Sequence, residues 1–299
     1  MRGTVVLLSV ALCAAGPSIA AAQDSAPTPL STMERRSEAL PPPTETVRYG
    51  AEQIQSGELR LPPGNGPFPV AIVIHGGCWN TAISDHSAMP GLSEMLRRRG
   101  VATWDIDYRR VGNAGGGWPG TFQDIAAGVD HLATLATRHP LDLARVTVVG
   151  HSAGAHLALW AASRHRLPAP WTPGPASPHL RSVVAIDGPG TLAPLVGADA
   201  QVCGRPVIVP LMGGTPAERP AEYRIASPSD HLPLGLPQLL VLAELAPFMT
   251  GYVEAARAAG DPVRTLAPDN ANHFDIVTPG MPNGERVADW IAAEAFRTR

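Results

Sequence analysis

The sequence predicts an α/β fold, a mostly parallel central sheet with helices on both faces and a small cap or insert. Three observations predict it. Short apolar runs alternate with segments of helical period along most of the chain. Residues 69–74, Pro-Val-Ala-Ile-Val-Ile, are continuously apolar, as a strand buried on both faces must be. No repeat and no second core-sized segment occurs, so the 299 residues read as one folded domain with appendages.

Met1-Arg2, an apolar stretch from Thr4 to Ala15, and the small-residue run Ile19-Ala20-Ala21-Ala22-Gln23 make residues 1–22 a signal peptide, cut near Ala22. The expected location is therefore secreted or periplasmic. The apolar stretch is too short for a permanent membrane anchor. Residues 23–43 are rich in Pro, Ser, Thr and Ala and end in three prolines, which reads as a flexible leader.

The domain itself is expected over 44–299. Residues 47–49 and 57–61 alternate like short strands. After the buried strand 69–74 come a helix over 86–99 and a strand over 101–107. A helix is expected over 122–137, where Ile125, Val129, Leu132 and Leu135 recur at three- and four-residue spacing. A strand at 145–149, a helix at 152–163 and strands at 181–186 and 238–243 follow. The Pro- and Gly-rich stretch 188–236 between the last two reads as the cap. A helix at 252–259, a strand at 263–266 and a helix at 285–296 complete the order.

Composition excludes several chemistries. All 23 basic residues are arginine, so no lysine Schiff base, phosphate-binding lysine or Ser-Lys dyad exists. A net charge of −3 gives no footprint for nucleic acid. No Cys or His spacing suggests a metal, and no cofactor is expected. Export would leave Cys78 and Cys203. An oxidising compartment permits a bridge, but sequence does not show that they meet, and two separate buried thiols are the simpler expectation.

Gly150-His151-Ser152-Ala153-Gly154 lies between an expected strand and an expected helix, where a Gly-x-Ser-x-Gly segment lifts a serine hydroxyl above the sheet. Ser152 is the expected nucleophile. His75-Gly76-Gly77-Cys78-Trp79 directly follows the buried strand, and its glycines let backbone N–H groups approach an oxyanion. Gly77, Cys78 and Ala153 are the expected donors. His273, in a loop before the closing helix, is the expected general base. Trp79 and Trp118 are candidates for an aromatic substrate wall, with packing under the cap as the equal alternative.

These segments resemble the α/β-hydrolase superfamily, in particular exported bacterial esterases and arylformamidase-like enzymes with His-Gly-Gly-x-Trp and Gly-His-Ser-Ala-Gly-x-His-Leu-Ala. The resemblance runs from about Thr44 to the C-terminus. It includes Asp107-Tyr108-Arg109, residues 118–124 and His273-Phe274-Asp275. It implies an α/β-hydrolase fold and hydrolysis of a small carboxylic ester or an aryl formamide through an acyl-enzyme, without cofactor.

The resemblance also implies a triad acid after the strand 238–243, where this chain reads Ala243-Glu244-Leu245-Ala246-Pro247. Ala246 stands at the expected Asp position. Three readings stay open: Glu244 as a substitute, Asp187 as a migrated acid from the preceding strand, or a truncated triad. The truncated triad carries the most weight, which makes a crippled acyl-binding pocket the non-enzymatic alternative.

Overall fold

The computed structural model describes Met1, residues 28–84 and residues 86–297. The expected signal peptide and its cleavage site lie outside the described residues. Eight strands form one sheet in the order β1-β2-β4-β3-β5-β6-β7-β8. They are β1 (Glu45–Arg48), β2 (Ser56–Arg60), β3 (Phe68–Ile74), β4 (Ala102–Ile106), β5 (Leu141–His151), β6 (Leu180–Ile186), β7 (Gln238–Val241) and β8 (Val263–Leu266). The β1–β2 and β2–β4 pairs are antiparallel, and every later pair is parallel.

The continuous apolar runs serve two cores. Side chains alternate across a strand, so Val70, Ile72 and Ile74 of β3 face one apolar cluster while Ala71 and Val73 face the other. On the first side pack α3 (Gly120–Asp130), α5 (Ala153–Ser163) and α9 (Ala246–Ala258); on the second pack α2 (Pro90–Arg98) and α10 (Pro282–Glu294). Helix α5 is buried along its whole length, as a helix without a polar face must be.

Two expectations change here. The leader contains a helix, α1 (Leu30–Glu38). Its Met33 enters the second core, and Arg36 donates to the Pro279 carbonyl at 2.7 Å. The expected helix 122–137 breaks into α3 and the short α4 (Leu132–Leu135). Between β6 and β7 the chain forms three short helices, α6 (Asp199–Cys203), α7 (Ile208–Met212) and α8 (Pro220–Ala226).

The sheet order places the site. The chain winds from β3 to β4 on one side, then returns to lay β5 on the other side of β3. Loops leaving the carboxyl ends of β3 and β5 therefore diverge and open a crevice, where open parallel sheets bind ligands.

Candidate active site

Ser152 stands between β5 and α5 with φ 58° and ψ −123°. Such a backbone is strained for an L-residue, by about 1–3 kcal/mol. It is held by a bond from the Ser152 N–H to the Ile186 carbonyl and by one from Ala155 N–H to the Ser152 carbonyl, each 2.9 Å. The flanking glycines are required by close approach. A Cβ at position 150 would lie 1.9 Å from the Gly154 carbonyl oxygen, and one at 154 would lie 2.1 Å from that of Ile74.

The loop leaving β3 rests against this serine, since a Cβ on Gly76 would fall 2.9 Å from Ser152 Cβ. Gly77, Cys78 and Trp79 all have positive φ, at 98°, 52° and 53°. The N–H groups of Gly77, Cys78 and Ala153 have no acceptor among the described residues. Behind the loop, His75 Nε2 lies 3.1 Å from Asp107 Oδ1, and the Tyr108 hydroxyl donates to the His75 carbonyl at 2.9 Å. Burial lowers the His75 pKa against the opposing pull of Asp107. Burial alone would raise the Asp107 pKa, but the bonds to His75 and His86 and the charges of His75 and Arg110 hold it well below the usual carboxylate range.

His273 follows β8, and its Nδ1–H donates to Asp187 Oδ2 at 2.8 Å. Asp187 directly follows β6, is fully buried, and has φ 46°. Its Oδ1 accepts the N–H groups of Ala243 at 2.9 Å and Leu245 at 3.0 Å. Because a carboxylate only accepts, Nδ1 carries the proton and Nε2 is left as the basic nitrogen. His151 Nε2–H donates to the His273 carbonyl at 2.8 Å, and the two rings lie 4.4 Å apart. Burial, then the neighbouring His273, push the His151 pKa down to about 3, so it stays neutral. Ser152 and His273 line one cavity.

The truncated triad expected around Ala246 gives way at this point. Ala246 is the first residue of α9, and the carboxylate on the imidazole comes from Asp187. Glu244 lies at the site but accepts the His273 backbone N–H at 3.1 Å, away from the ring. One sequence signal marked Asp187: an acid ending an apolar strand, followed by Gly188-Pro189-Gly190, at the same sheet edge as the serine.

Two further expectations are corrected. Cys78 and Cys203 are joined by a disulfide, with Cα atoms 6.2 Å apart and 125 residues between them in sequence. Trp79 lines a second cavity, which also borders Ser152 but not His273, and Trp118 lines neither. Trp118 packs on Phe122 and Trp171 with ring centroids 5.1 and 5.0 Å away. The cavity's other walls include Leu195, Val202, Ile208, Leu245 and Phe248, which sequence did not single out. Its enclosed free space is about 50 Å³, within a depression of about 470 Å³ that opens to solvent. No helix among the described residues is long and apolar enough to cross a membrane.

Comparison with known proteins agrees with the fold. A family model described as BD-FAE matches residues 58–243. Esterase B from Lactobacillus rhamnosis, solved in a C6-C4 SN3 inhibited form, is 18% identical with a TM-score of 0.73, covering 89% of this chain and 91% of that one. An esterase from the archaeon Pyrobaculum calidifontis is 17% identical with a TM-score of 0.69, covering 89% of each chain. A bifunctional GH43-CE protein from Bacteroides eggerthii is 20% identical with a TM-score of 0.67, covering 83% of this chain, which spans only 37% of that longer one. At such identities the likeness is one of fold. No curated protein matches the chain.

Proposed function

From its place in the BD-FAE family of α/β-hydrolase-type esterases, to which this chain belongs, we propose that it hydrolyses small carboxylic esters through an acyl-enzyme on Ser152. The observation that carries this reading is the 2.8 Å bond from His273 Nδ1–H to the buried Asp187 carboxylate. It fixes the imidazole tautomer whose Nε2 accepts a proton, and it stabilises the imidazolium that forms.

Ser152 Oγ attacks the ester carbonyl as His273 takes its proton. The N–H groups of Gly77, Cys78 and Ala153, which no acceptor among the described residues occupies, receive the developing oxyanion. His273 then protonates the departing alcohol, and water repeats the sequence to release the acid. The apolar walls beside Ser152 and the narrow space between them suit a short acyl group. The larger alcohol part faces the open depression.

The crippled-pocket reading rested on position 246, and the bond from His273 to the Asp187 carboxylate weighs against it. A secreted or periplasmic location remains part of the proposal and is supported by the disulfide, which persists in oxidising compartments. A fluorophosphonate probe tests the mechanism. We expect prompt labelling at Ser152 and burst kinetics with p-nitrophenyl acetate, both lost in Ser152→Ala. A wild-type protein inert to both would refute the reading. Comparing p-nitrophenyl esters with N-formyl arylamines separates ester from formamide preference.

A further inference from the structure

The disulfide joins two parts of the site that the mechanism treats separately. Cys78 offers a backbone N–H to the oxyanion, whereas Cys203 ends α6, a wall of the acyl cavity. We propose that Cys203 is a positioning residue: through its bond to Cys78, the cap sets where the oxyanion-binding N–H groups stand. This rests on the serine-hydrolase reading above and extends it.

The loop around Cys78 needs an external hold. Gly77, Cys78 and Trp79 are three successive residues of positive φ, two of them not glycine. Left-handed backbone at non-glycine residues persists only where the surroundings over-determine it. The main-chain ties of the loop run from Asn80 N–H to the Gly77 carbonyl and from Val111 N–H to the Trp79 carbonyl, each 2.9 Å. Neither binds a main-chain atom of Cys78, whose side chain is its covalent anchor.

The other end of that anchor is stiff. Asp199, at the start of α6, is largely buried and accepts four backbone N–H groups, from Gly197, Ala200, Val207 and Ile208, at 2.7–3.1 Å. The carboxylate therefore gathers the segment before α6, the helix itself and the start of α7 into one unit. Cys203 projects from this unit to Cys78, while Ala198, Val202 and Ile208 from the same unit line the cavity beside Ser152. Without the bridge, the donor loop and the acyl wall are free to move apart. Misplacement of donors by about 1 Å costs on the order of a hundredfold in rate.

The test uses the full chain in oxidised and reduced forms. Tris(2-carboxyethyl)phosphine opens the bridge: the phosphine becomes its oxide with oxygen from water, and the S–S bond takes two electrons and two protons to give two thiols. Rates are measured well below the melting transition with p-nitrophenyl acetate. They are normalised to sites titrated with fluorophosphonate, so unfolded molecules do not count. We expect reduction to lower kcat about tenfold to a hundredfold, with KM changed less than threefold and activity restored on reoxidation. Cys203→Ser should show the same low kcat and be insensitive to the phosphine. The Cys78→Ser/Cys203→Ser double variant should match it, because both lesions remove one link.

A purely structural bridge would lower the melting temperature and the number of titratable sites but leave kcat per site intact, and that result would overturn the proposal. If the variants fail to fold, the reduced wild type, with two thiols counted by mass, decides the question on the same criterion. An oxidised wild type inert towards ester and probe would sink the hydrolase reading and this one together. An active enzyme whose kcat per site ignores reduction would sink the positioning role alone.

Discussion

The loops leaving β6 and β7 divide one task in an unexpected way. The β7 loop stands where the sequence led us to expect the triad acid, yet in this chain it supplies backbone: Ala243 and Leu245 donate N–H groups to the Asp187 carboxylate. The β6 end supplies the side chain, which reaches past that loop to the His273 imidazole. A strand edge thus acts as acid or as cradle according to which residue carries the carboxylate. The geometry around His273 needs only one.

The comparison breaks most sharply at Asp187. Replacement by Asn keeps the shape but removes the charge, and loss of a triad acid in this way costs about 10⁴ in kcat. We expect that loss in steady-state kinetics of Asp187→Asn, with the far-ultraviolet circular dichroism unchanged. Activity within tenfold of wild type would mean that the acid lies elsewhere.

A second buried carboxylate shows what the cradle provides. Asp105 on β4 accepts a bond from Ser93 at 3.0 Å, but its Oδ1 has no partner among the described residues. Burial raises its pKa from 3.8 to about 7, against the opposing charge of His86. The folded state therefore keeps this proton while the unfolded chain has lost it. Stability falls as pH rises from about 4 to about 7 and is flat above that. Asp105→Asn should remove this contribution, gaining on the order of 4 kcal/mol at pH 8 relative to pH 4. Urea unfolding of both proteins at the two pH values measures the difference, and an equal effect at each would contradict it.

Glu244 touches His273 only through the backbone N–H, from an exposed position. Glu244→Gln should therefore lower kcat less than tenfold. A loss approaching that of Asp187→Asn would move the acid to Glu244. The smallest effect is expected at Ala246. Since Asp187 already satisfies Nδ1, Ala246→Asp should leave kcat/KM unchanged or slightly lower. A hundredfold gain, as the truncated reading required, would show that Asp187 is only structural.

How legible each part was follows from how locally it is encoded. The 150–154 turn and the 75–79 loop are contiguous segments whose glycines answer contacts at the turns themselves, so both could be read directly. The acid could not, because nothing near Asp187 records that Ala243, Leu245 and His273 converge on it. Trp118 stayed open between wall and packing for a similar reason, because Trp171, one of the two rings it packs on, comes from a distant segment. Leu30–Glu38 was hidden by its polar composition, since Met33 alone on that helix, with Leu30 beside it, reaches the apolar core.

By itself, the sequence determined the alternation of buried strands and helices, the sharp turn at Ser152, the exclusion of lysine chemistry, and the position of His273 after the last strand. These are set by periodicity, residue type and short-range sterics. Only the tertiary structure decided which carboxylate meets the imidazole, whether Cys78 meets Cys203, and which cap residues wall the cavity. Each of those is a contact between distant segments, formed because the parallel sheet brings its carboxyl edges together. Position 246 carries no carboxylate, and the folded sheet brings that of Asp187 to the imidazole instead.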